Sequence, residues 1–291
     1  MKGLVMNYKK TLLFFTFATL VSVTLRTLII FFTTDPSSGF FKQEFAVFSY
    51  GMIAIIIAAA LLCIVFAIKC KRPKAPAFWE RVKAIISVLL GICIAVEALF
   101  LDYSGNAAPW QNLMQTLLGV LAGVVFVWLG LSLMGLISSP AAFVAIPVVF
   151  YIFRLIVVFI TYSGVATIAD NAFELASVCA CLVFMMQFAK SATGIGSEKP
   201  RFGFFPISIC CALVIFTQAV PVIIAATSGN HSLIHSNSLF LPTSILMGLF
   251  CLCFSLFETT EEPEKKHLYR PRHESRSGIS VHDLFLGNDD E

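Results

Sequence analysis

Six side chains stand where polar chemistry is costly and therefore informative. Arg26, Arg154, Glu97 and Gln218 fall inside long apolar runs, and Glu44 and Glu174 stand at the starts of two others. An ion at membrane depth is expensive unless it is paired or hydrated. A guanidinium fork matches carboxylate and phosphate oxygens at two points. The two arginines can therefore contact a small anionic or polar ligand, or they can pair with a carboxylate inside the protein. A third reading lets both snorkel to the headgroups along their aliphatic stems. At about 1.5 Å of helical rise per residue, Arg26 lies about 24 Å, Glu97 about 21 Å, Arg154 about 20 Å and Gln218 about 22 Å from the starts of their runs. These depths place them in the outer third of a hydrocarbon core about 30 Å thick. Glu97 is the natural partner for Arg26. Only neutral Gln218 matches Arg154 in the second half, so Arg154 is the expected ligand contact. Pro206 and Pro221 lie in the run that carries Gln218, and proline kinks a helix by releasing a carbonyl.

Other reactive residue types are weaker candidates. His231 and His235 are four apart, and with Asp102, Asp170 and Glu174 they could complete a zinc site. Such a site would give a membrane hydrolase through zinc-bound water. Two histidines without further ordered ligands do not make a motif. Eight of the nine cysteines lie within apolar runs with no Cys-x-x-Cys spacing, so they read as small apolar residues. Phosphate-cradling and nucleophile-elbow motifs are missing, and no cofactor is implied. Gly119 and Gly123 form a Gly-x-x-x-Gly pair, which points to close helix packing.

Composition says what must position these groups. Of 291 residues, 58% are apolar and 13% charged, and the mean hydropathy is +0.88. Soluble domains run near 45–50% apolar and about 25% charged, so a soluble globular enzyme is excluded. There is no basic stripe with interleaved aromatics, and nucleic acid is not an expected partner. The apolar runs are continuous, which favours helices over a barrel. Eight spans are expected, at 11–33, 45–68, 84–101, 113–137, 141–162, 173–192, 204–226 and 239–257. The first reads as a retained anchor. Ser138-Ser139-Pro140 marks a turn between the fourth and fifth spans. With both termini cytoplasmic, 17 of the 20 Lys and Arg residues fall on the inner side and only Lys42 outside, as the positive-inside rule requires.

The fold class expected is thus an all-α integral membrane protein with eight transmembrane helices and both termini cytoplasmic. Its segments are an N-terminus at 1–10, four-helix repeats at 11–137 and 141–257, and a disordered tail at 258–291. The repeat rests on ordered polar matches: Arg26 with Arg154, Glu44 with Glu174, Glu97 with Gln218, and Ser104-Gly105-Asn106 with Ser228-Gly229-Asn230. Two four-helix halves would enter from the same side, giving parallel repeats. The leading functional expectation is a plasma-membrane permease or ligand-binding component for a small polar or anionic molecule, with the lipid bilayer as its other partner. Its ligand-binding residues would be Arg154, Arg26, Glu97, Gln218, Glu44 and Glu174. The alternative is a scaffold or sensor whose cytoplasmic tail docks a protein through the island from Val281 to Leu286. A zinc hydrolase using His231 and His235 is the second alternative.

Overall fold

In a bilayer every backbone group must be satisfied within the protein, and for a chain this apolar the helix is the solution. The computed structural model describes residues 8–35, 38–68, 70, 76–100, 109–137, 141–162, 169–193, 204–229 and 241–256. His231, His235, Asp102, the Ser138-Ser139-Pro140 turn and the tail from 258 lie outside the described residues. Eight α-helices are present among those described: α1 Tyr8–Leu28, α2 Ala46–Ile68, α3 Ala77–Phe100, α4 Pro109–Leu133, α5 Ala145–Tyr162, α6 Ala169–Thr193, α7 Phe204–Thr227 and α8 Leu241–Leu256. The first seven are long and apolar enough to cross a membrane. With 16 residues, α8 is about 24 Å long, short of a full hydrocarbon core.

Several helices begin earlier than their apolar runs, for local reasons. Pro109 opens α4, where its fixed φ suits the helix and its missing N–H costs nothing. Glu80 and Asp170 sit in the first turns of α3 and α6, where a negative charge complements the helix dipole. Helix α4 ends at Leu133 rather than 137. Gly135 adopts φ 76° and the Leu136 N–H reaches back to the Leu131 carbonyl at 3.1 Å, a glycine stop that caps the last carbonyls.

Packing centres on α7. Its span is 61% buried, against 28–44% for the other six. Helix α7 lies against α1, α2, α6 and α8, while α3, α4, α5 and α6 continue the circuit, which closes between α8 and α3. Phenylalanines fill one end of this circuit. The Phe250 ring lies 4.4 Å from Phe254, 5.3 Å from Phe126 and 5.8 Å from Phe184. At the same end the Trp79 indole donates to the Cys253 carbonyl at 3.0 Å, and buried Lys83 meets Glu80 at 2.9 Å. This clamp ties the start of α3 to the end of α8.

The α3–α4 seam depends on glycine. A Cβ at Gly123 would stand 2.6 Å from the Gly91 carbonyl oxygen, and one at Gly130 would stand 2.7 Å from that of Ala84. Neither backbone can yield without parting the helices, so the Gly119/Gly123 pair marks a packing seam. Gly123→Val is expected to destabilise the fold by about 1–3 kcal/mol or more. Gly51→Ala is the control, because a Cβ there meets nothing within 4 Å. Fluorescence-detected size-exclusion after graded heating checks this, and equal survival of the two variants would count against a backbone-tight seam.

Candidate functional site

The polar residues form two buried ion pairs, each joining helices distant in sequence. Arg26 Nη2 on α1 bonds Asp170 Oδ1 on α6, with side chains 0% and 4% exposed. Arg154 Nη1 on α5 bonds Glu97 Oε1 on α3 at 2.5 Å, and Arg154 is 12% exposed. Phe173, one turn past Asp170, covers the guanidinium of Arg26, its ring centroid 4.1 Å from Cζ. The last turns of α1 thus meet the first turn of α6, as helices running in opposite directions must.

The partners differ from those expected. Glu97 serves Arg154, not Arg26, so Arg154 is not the less neutralised arginine. Asp170, weighed only for metal binding, is the partner of Arg26. Depth can be counted along a helix, but the direction a residue faces depends on how the helices pack. Glu174 is buried in α6 one turn beyond Asp170. Glu44 lies apart from this group, exposed in the short 3₁₀ turn Gln43–Phe45 before α2. Gln218 is buried in α7, and neither atom of its amide has a hydrogen-bond partner. Nε and Nη1 of Arg26 are likewise unmatched.

A small cavity of about 20 Å³ opens beside Arg154, lined among others by Tyr151 of α5, Ser177 and Cys181 of α6, and Thr243 and Ser244 of α8. That space suits about one water molecule. Its lining names hydroxyl residues that sequence reasoning passed over, because serine and threonine are common in apolar helices. A larger groove of about 320 Å³ runs along the α3–α4 seam beside Ile92, Val96 and Val124. Its walls are apolar, which suits a lipid chain and not a polar ligand.

One face of α6 connects these features. Asp170, Glu174, Ser177, Cys181, Phe184 and Phe188 recur at helical spacing, and all six are buried. The first four are polar or polarisable, and the last two are aromatic. Phe184 and Phe188 stack with ring centroids 6.1 Å apart and join the cluster around Phe250. Ser177 lies seven residues past Asp170, so the Arg154 cavity is about 10 Å farther along α6 than the Arg26 pair. The two pairs are therefore staggered along α6 rather than set in one layer.

Among the described residues no three His, Cys, Asp or Glu side chains cluster as metal ligands, and all nine cysteines are free thiols. The helices and their composition define the class: this is an all-helical, multi-pass membrane protein. No family model, no characterised protein and no solved structure matches the chain.

Proposed function

We propose that the protein is a plasma-membrane permease for a small polar molecule, with eight spans, both termini cytoplasmic and a polar site opening outward. The observation that carries this reading is the α6 face that changes from Asp170, Glu174, Ser177 and Cys181 to Phe184 and Phe188. A polar track closed at one end by packed aromatic rings is what a carrier needs in one of its two states. The positive-inside rule sets the orientation: the aromatic end faces the cytoplasm and the Arg26 end faces outward. Short α8 crosses only if the bilayer thins around it or flanking residues complete it. Three carboxyl groups (Asp170, Glu174 and Glu97) accompany two guanidinium groups along the track, so a neutral ligand suits it better than an anion.

The ion pairs give such a carrier its two states. Each joins helices that must part if the track is to open from the other side, and a packed interface tends to switch between discrete arrangements. Native mass spectrometry of wild type beside Arg154→Ala in mild detergent tests the reading. A small molecule bound to wild type is the expected result, and its loss from the variant would place the contact at Arg154. The same species on both proteins would make that arginine structural and move the contact elsewhere in the site, and no species on either would sink the permease reading.

A further inference from the structure

We infer that Arg26 and Gln218 together bind an uncharged ligand that presents a carbonyl oxygen beside an N–H group, an amide or imide edge, between α1, α6 and α7. This rests on the permease reading and places the ligand contact at Arg26 instead of Arg154. The two side chains belong to packed neighbours, α1 and α7. Tyr8 and Phe205 approach at one end of α1 and α7, with ring centroids 6.4 Å apart, and Ile30 and Val222 share one apolar cluster at the other. The helices are therefore parallel neighbours. Arg26 and Gln218 each stand four residues before a member of that cluster, Ile30 and Val222, so each lies one turn back on its own helix from a residue of the shared cluster.

Four polar atoms at this level lack partners: Nε and Nη1 of Arg26 and both amide atoms of Gln218. A buried polar atom without a partner is unfavourable, and a half-satisfied network is worse than an apolar one. An occupant removes that penalty. Both backbones also open here. Helix α1 changes to a π-helix at Ile29–Thr33, where the Thr33 hydroxyl, the Thr34 hydroxyl and the Thr34 N–H all converge on the Ile29 carbonyl at 2.8, 3.0 and 3.2 Å. Such π segments are frequent at functional sites. In α7, Pro221 has no N–H to return to the Thr217 carbonyl, so that oxygen leaves the helical ladder.

The chemistry of the occupant follows from these groups. Arg26 offers two donor directions. The Gln218 amide offers a donor and an acceptor, and the Thr217 carbonyl offers a further acceptor. A carbonyl oxygen satisfies the guanidinium, and an adjacent N–H satisfies the acceptors. An anion is less suited, because Asp170 already neutralises Arg26 and Glu174 is one turn away.

The test uses the full chain purified from its own membranes, with the mass adduct it carries as the probe, in wild type, Gln218→Met and Arg154→Ala. Wild type is expected to carry an amide- or imide-containing adduct whose occupancy falls at least tenfold in Gln218→Met, while the melting temperature of that variant equals or exceeds wild type. If Gln218→Met does not fold, Gln218→Leu takes its place. An adduct kept by the Gln218 variant but lost from Arg154→Ala overturns this inference and leaves the permease reading standing. An adduct that fragments to a phosphate or carboxylic acid overturns the ligand class. Absence of any adduct in wild type overturns both.

Discussion

Arg26→Met is expected to lower the stability of the fold by about 3–5 kcal/mol, because it leaves Asp170 buried without its counter-ion. The side chain is entirely enclosed, and its carboxylate partner is nearly so. Neither can fall back on water, and Phe173 lies over the guanidinium where solvent would otherwise enter. Asp170→Leu alone should cost a similar amount for the reciprocal reason. The double replacement Arg26→Met with Asp170→Leu is expected to recover most of the loss, since apolar residues of like volume often replace a buried ion pair without penalty. Equilibrium unfolding in mixed SDS and detergent micelles measures all three. A single variant within about 1 kcal/mol of wild type would show that water reaches the pair, and that the α1–α6 bond is not a buried one.

This recovery separates stability from function. A double variant that folds but carries no adduct would assign the ion pair to ligand handling rather than to holding the bundle together. Buried ion pairs are weak evidence for stability, and in some proteins they fix one arrangement among several. An arginine that holds Asp170 with one nitrogen and leaves two unspent fits that second role.

What the residues revealed on their own was depth, and what they concealed was direction. Arg26, Glu97, Arg154 and Gln218 could each be placed along a helix by counting rise, and the structure buries all but Arg154 almost completely. Their pairing could not be counted. Helix α7 stands beside α1 and α6 at once, and this brings Asp170 within reach of Arg26 from 144 positions away in the chain. Asp170 reads from the sequence only as a metal ligand, because α6 is expected to start at 173. Asp170 and Asn171 interrupt the apolar run just before that, but an acid is favoured at a helix N-terminus. The polar face of α6 was hidden for the same reason, since its first member lay outside the expected helix. The change to π-helix after Arg26 left no trace in an apolar run, where period 3.6 and a single wider turn look alike. The expected span of 113–137 also passes over Gly135, whose positive φ ends α4 short of that boundary.

The second large effect concerns Arg154 and Glu97. Arg154→Glu is expected to destabilise strongly, because it sets two carboxyl groups against each other where a 2.5 Å ion pair stood. Glu97→Arg should do the same with two guanidinium groups. The swap of both is expected to recover much of the loss, giving a coupling energy of about 2–4 kcal/mol in the double-mutant cycle, within the range for close charge pairs. The cost of breaking this pair should be smaller than for Arg26 and Asp170. Arg154 keeps 12% exposure, and the cavity of about 20 Å³ beside it can admit a water to solvate whichever charge is left. The cycle thus ranks the two pairs. If the Arg154 pair proves the costlier one, the cavity does not hydrate it, and the deep end of the polar track is dry and closed. If the four variants are additive within about 0.5 kcal/mol, the α3–α5 bond does not form in the membrane, and the two-state role proposed for the ion pairs loses one of its two switches.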